Sequence, residues 1–105
     1  MYASIRPEVV LASPRADLRI LDVRSGGEYA SGHVPGAVHI PYDEVAMRLE
    51  QIGADRERTL VVYCETGVRA EVAERALRAA GYADVRHLEG DMHGWRKAGL
   101  PIESR

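Results

Sequence analysis

A single cysteine, Cys64, is all the thiol chemistry this 105-residue chain contains. One thiol excludes an intramolecular disulfide, a CxxC redox pair and a thiolate-rich zinc site. An excess of charge of either sign is also missing: 14 Lys and Arg stand against 16 Asp and Glu, a formal charge of -2. That balance gives no electrostatic case for nucleic acid or for an anionic membrane surface. No apolar run approaches the roughly 20 residues a spanning helix needs. The first stretch, "MYASIRPEVVLASPRADLR", holds no continuous apolar segment of signal-peptide type, so the expectation is a cytoplasmic protein. Internal repeats, low-complexity segments and charge blocks are absent too.

What is there suits a globular domain. Hydrophobic residues make up 46% of the chain, enough for a real core, and the length leaves little room for a second one, so 1–105 is expected to be one domain. A small net charge and no obvious exposed apolar stripe make a monomer the expected state. The four histidines, His33, His39, His87 and His93, fall in two pairs six residues apart. That spacing does not put either pair on one helix face as an i, i+4 metal pair would be, so solvated or locally hydrogen-bonded histidines are expected and no bound metal.

Strand and helix patterns alternate. "RILDV" reads as a buried strand over Arg19 to Val23, followed by Ser25 and Glu28 at the spacing of a capping box. A short strand is expected at Ala37 to Ile40, stopped by Pro41. Asp43 has the chemistry to cap a helix that carries Val45, Leu49 and Ile52. "TLVVYC" is an apolar, β-branched run suited to a central parallel strand covered on both faces. From Val68, the residues Val72, Ala76, Leu77 and Ala80 recur at helical spacing, with Gly81 as a C-terminal stop. "DVRHLEG" gives a strand at Val85 to Leu88, and "GDMHGWRKAGLP" a last short helix. The class expected from this alternation is α/β: three layers, with a mainly parallel sheet flanked by helices. In such sheets ligands bind beyond the carboxyl ends of the strands, which is where Cys64 falls.

Two readings of Cys64 compete on the residues alone. A free cysteine after an apolar strand is commonly a small buried packing residue. A nucleophile, by contrast, must be available as thiolate, and its reference pKa near 8.5 leaves a thiol mostly protonated at neutral pH. Three features would favour the anion: the N-terminus of the following helix, the nearby cation Arg69, and Gly67, which lets the backbone turn its amides inward as a nest. Such a loop serves phosphate-ester cleavage as well as sulfur transfer.

The segments "ILDVRSGGEYASGHVPGAVHIPYDEV" and "LVVYCETGVRAEVAERALRAAGYADVRHLEGDMHGWRKAGLP" together resemble a single-domain rhodanese, a sulfurtransferase-type domain. The resemblance rests on DVR, EYxxGHVPGAxxIP, the CxxGxR loop and "GDMHGW" occurring in that order. It implies the rhodanese-like fold and a catalytic Cys64 that takes a sulfane sulfur from thiosulfate or a persulfide and passes it to a thiol or cyanide. The substrate-binding residues it implies are Glu65, Thr66, Gly67, Val68 and Arg69, whose inward amides would hold the persulfide. It implies no metal or organic cofactor, and allows a protein as sulfur acceptor. Related phosphatase-like loops place five residues between Cys and Arg, whereas here four intervene, which favours sulfur transfer over phosphoester hydrolysis.

Several residues carry bland and sharp readings together. Glu65 would repel a dianionic donor if it pointed into the mouth, and would be mere surface if it did not. Asp22 and Arg24 are expected in a fold-stabilising network with Glu28 or His33, with Arg24 at the pocket rim as the alternative. Trp95 reads as a core anchor. Glu71/Arg75 and Glu74/Arg78 read as ion pairs on the solvated face of a helix. Three functions remain in competition: a sulfurtransferase, a sulfur-relay module, and a non-catalytic rhodanese-like interaction domain, the last disfavoured by the presence of Cys64.

Overall fold

The structure is a computed structural model that describes residues 3–105. Strand β1 (Ala3–Ile5) opens it, followed by helix α1 (Pro7–Ala12), β2 (Leu18–Asp22), α2 (Gly26–Ser31) and β3 (Val38–His39). Two 3₁₀ helices at Val45–Met47 and Leu49–Ile52 lead to β4 (Thr59–Tyr63), α3 (Val68–Ala79), β5 (Val85–Leu88) and α4 (Asp91–Lys97). The five strands form one parallel sheet in the order β1-β5-β4-β2-β3.

β4 lies in the middle, and its sequence explains why. Leu60, Val62 and the adjoining Cys64 face a core built with Ala70, Ala73 and Leu77 of α3 and with Val45 and Ile52. Val61 and Tyr63 face the opposite core, with Val10 of α1 and Met92 and Trp95 of α4. A strand covered on both faces needs apolar residues at every position, which Leu60–Tyr63 supply. Each fully buried Val or Leu contributes roughly 1.5–3 kcal/mol. Trp95 is the anchor expected of it: it is fully buried, and its indole N–H donates to the Pro101 carbonyl at 2.8 Å.

The capping box is formed as the sequence predicts: Ser25 Oγ accepts from the Glu28 amide, and Glu28 accepts from the Ser25 amide. The helix expected after Asp43 is instead the two 3₁₀ turns, the first entered through Glu44 with no side-chain cap. Only Val45 and Ile52 of this segment are fully buried. Two apolar anchors separated by charged residues do not support a continuous helix, and the backbone breaks at Arg48. β1 and α1 lie in a stretch to which the sequence patterns assign no element. Among the described residues, no helix is long and apolar enough to cross a membrane.

Candidate functional site

β4 delivers Cys64 to the carboxyl edge of the sheet, and the chain turns through Glu65, Thr66 and Gly67 into α3. The turn requires glycine: Gly67 has φ +120°, and a Cβ there would come within 3.3 Å of an Asp91 carboxylate oxygen. The first turn of a helix leaves backbone N–H groups without intrahelical acceptors. Here the Gly67 amide donates to Cys64 Sγ at 3.0 Å and the Ala70 amide at 3.3 Å. Cys64 is only 1% exposed. It is therefore both packed in the α3-side core and held in a nest of amides, so the two readings of the sequence are not exclusive.

The predicted loop residues stand in unequal relation to the sulfur. Of their amides, Gly67's reaches Sγ, and the second donor, Ala70, lies one residue beyond the predicted set. Thr66 and Val68 are exposed. Arg69 does not end on the sulfur: its guanidinium makes a two-pronged pair with Glu28 at 2.8 and 3.0 Å. That pair, with help from Ser25, holds the Glu28 carboxyl down at about 2. The charged form of Arg69 is in turn stabilised chiefly by Glu28 and also by proximity to Cys64.

Glu65 is neither free in the mouth nor idle on the surface. Arg24 donates to it at 3.3 Å, and Arg96 from α4 pairs with its other oxygen. Arg24 itself is buried, donating to Asp22 at 2.8 Å and to the Gly32 carbonyl at 2.7 Å. Burial opposes the Arg24 charge, and the Asp22 carboxylate more than offsets it. Tyr63 completes this group: its hydroxyl donates to Asp22 at 2.7 Å and accepts from the Val34 amide at 3.0 Å. Arg24 thus serves the fold and also touches the loop. His33 and Glu28 belong elsewhere, His33 bonding the Tyr29 carbonyl at 2.7 Å.

The sequence patterns miss one cluster. His87 of β5 is buried, with Nδ1 2.6 Å from Glu74 and Nε2 2.9 Å from Asp91. Asp91 and Glu74 together push the imidazole up to about 10, against the effect of burial. Glu74 is consequently not on a solvated helix face: it is 1% exposed and turned to His87. The helix face is set by Ala70, Ala73 and Leu77, while Val72 is exposed. The remaining histidines are His39, bonded to the Arg24 carbonyl, and His93, whose side chain is exposed. Among the described residues no group of His, Cys, Asp and Glu is arranged to hold a metal.

Comparison with known proteins gives four findings. The family model for the rhodanese-like domain matches residues 8–98. A sulfurtransferase of Allochromatium vinosum is 35% identical over 86 residues, covering 82% of this chain and 78% of that protein. An HTH-type transcriptional regulator of Mycobacterium tuberculosis is 39% identical over 103 residues, covering 96% of this chain but 44% of the regulator, so the chain spans less than half of that relative. Among solved structures, an Anabaena protein superposes with a TM-score of 0.85 at 28% identity, over 96% of this chain and 82% of the other.

Proposed function

Because this chain belongs to the rhodanese-like domain family, we propose that it is a sulfurtransferase with Cys64 as its nucleophile. The observation that carries the reading is Cys64, a residue 1% exposed whose sulfur receives the N–H groups of Gly67 and Ala70 in a loop with four residues between Cys64 and Arg69. In the first displacement the Cys64 thiolate attacks the sulfane sulfur of the donor. The donor's S–S bond breaks and its electron pair leaves with sulfite, when the donor is thiosulfate, or with a thiolate, when it is a persulfide. In the second, an acceptor thiolate or cyanide attacks the outer sulfur of the Cys64 persulfide and returns the Cys64 thiolate. One activated nucleophile suffices for both steps. Backbone donors stabilise the sulfur anion without reorganising. Glu65, Thr66, Gly67, Val68 and Arg69 form the wall the donor meets. The reading takes residues 1–105 as one domain acting as a monomer in the cytoplasm.

Intact-mass measurement after incubation with thiosulfate, or with an organic persulfide, tests this. The expected result is a gain of one sulfur atom on Cys64, absent in Cys64→Ala, and thiocyanate formation when cyanide follows. No adduct with either donor overturns it, as does turnover of a phosphotyrosine analogue that is lost in Cys64→Ala.

A second reading, a relay or interaction module, is favoured by one observation: the matched region makes up only 44% of the M. tuberculosis regulator, so such a domain can serve a larger protein. Slow multiple turnover with small acceptors, alongside rapid formation of the Cys64 persulfide, would favour the relay.

A further inference from the structure

The Cys64 loop is fastened from below by the start of α4. The Met92 amide donates to the Cys64 carbonyl at 3.0 Å and the His93 amide to the Glu65 carbonyl at 3.1 Å. The third tie is a side chain: the Cys64 amide donates to Asp91 Oδ1 at 3.1 Å. Asp91 Oδ2 is meanwhile held by His87 Nε2 at 2.9 Å, and His87 Nδ1 by Glu74 at 2.6 Å. Both carboxylates and the ring are buried, Glu74 at 1%, Asp91 at 4% and His87 at 8% exposure. The chain of contacts therefore runs from α3 through β5 and α4 to the residue that bears the sulfur.

Asp91 reaches this position at a conformational cost. Its φ is +54°, and it is the one residue other than glycine with positive φ among the described residues. Left-handed backbone is uncommon for residues with a side chain, and glycine would adopt it with less strain. Asp enters this region more readily than most residues with a side chain, and here both of its carboxylate oxygens are engaged.

We propose that Asp91 is a positioning residue for the sulfur chemistry: by holding the Cys64 N–H, and being held by His87 and Glu74, it orients the Cys64 peptide so that Sγ faces the Gly67 and Ala70 amides. The proposal rests on the sulfur-transfer reading for its role in turnover, and on the hydrogen bonds alone for its role in orienting the loop. Imidazolium character in His87 supports it, since a ring donating from both nitrogens satisfies both carboxylates at once.

Two substitutions separate positioning from a backbone role. Asp91→Gly accepts the left-handed backbone but supplies no acceptor for the Cys64 amide. Asp91→Asn keeps that acceptor, and its amide N–H can donate to a neutral His87 whose other nitrogen still donates to Glu74. Three rates are compared in wild type and both variants: Cys64 persulfide formation with thiosulfate, Cys64 alkylation by iodoacetamide, and amide hydrogen exchange at Cys64. The expected pattern is Asp91→Asn within about threefold of wild type in the two chemical rates, and Asp91→Gly slower by about tenfold or more. Exchange at the Cys64 amide is expected to be slow in wild type and Asp91→Asn, and fast in Asp91→Gly. Asp91→Gly matching wild type in all three overturns the proposal, as does fast exchange at Cys64 in the wild-type protein, which needs no variant. If wild type forms no persulfide, the sulfur-transfer reading fails, and alkylation with amide exchange still decides whether Asp91 orients the loop.

Discussion

Two groups of paired charges hold the Cys64 loop, one open to water and one closed to it. At the mouth, Arg69 and Glu28 are 31% and 34% exposed, and Glu65 and Arg96 are 28% and 43% exposed. Beneath the loop, the side chains of Glu74, His87 and Asp91 are 1%, 11% and 5% exposed. Exposed pairs are screened and contribute roughly 0–1 kcal/mol each. A buried pair adds little over an apolar substitute, yet removing one partner is costly because a charge is left without its counter-ion. Under the proposed sulfur transfer, the mouth is therefore free to tune which donor arrives, while the buried group is suited to fixing geometry.

Breaking the buried group gives the largest expected effect. His87→Gln leaves Glu74 and Asp91 facing an uncharged side chain, and urea unfolding at pH 6 should show a loss of about 3–5 kcal/mol. The pH dependence carries a second signature. His87 is raised in the folded protein, from 6.5 to about 10. Its contribution is then fully present below pH 6.5 and fades as the pH rises towards 10. Wild-type stability should fall across that window relative to His87→Gln. A parallel course for the two proteins would show that the ring is not held as the cation.

Gly67 stands where the open and closed groups meet, so its substitution sharpens the comparison. Ala at φ +120° is strained wherever its Cβ goes, and that Cβ would crowd Asp91 at 3.3 Å. Gly67→Ala should lower stability by about 1–3 kcal/mol, measured by urea unfolding. Because the Gly67 amide is one of the two donors to Sγ, Cys64 alkylation should slow as well. An unaffected alkylation rate would mean that the loop tolerates a different path through Gly67.

The difference between the two groups also explains what could be read from the sequence. The strand run at Leu60–Tyr63, the capping box at Ser25 and Glu28, and the glycine that bends the loop are local signals, and each is visible within a few residues. β1 is three residues long with one buried side chain, too short for a period-2 pattern to show. Pro7 at the first position of α1 is the signal that could have revealed that helix. Glu74 was legible only as half of an i, i+4 pair, because spacing does not say which side of an alanine-rich helix is buried. Its partner His87 is 13 residues away and reaches it only once β5 lies beside β4. Asp91 gave no sign either, since its strain is a property of the folded backbone. The paired state of Glu65 likewise depends on Arg24 and Arg96, 41 and 31 residues distant.

The smallest expected change in stability comes at the mouth, and there the chemistry should respond more than the fold. Glu65 neutralises Arg24 and Arg96 at the edge of the Cys64 loop. Glu65→Gln keeps the shape and can still accept one hydrogen bond, so unfolding should shift by less than about 1 kcal/mol. Arg96 loses its counter-charge and Arg24, still paired with Asp22, loses its second one, so the mouth becomes more positive by one unit. Thiosulfate carries two negative charges, whereas the persulfide group of a simple alkyl persulfide carries one at most. The ratio of kcat/KM for thiosulfate to that for the persulfide should rise about threefold or more, through KM, at low ionic strength. Added salt should then erase the gain in the variant, because exposed charges are screened over roughly 10 Å at 0.1 M. A ratio that does not move would show that Arg24 and Arg96 are not sensed by the donor, leaving Glu65 as a strut between two arginines.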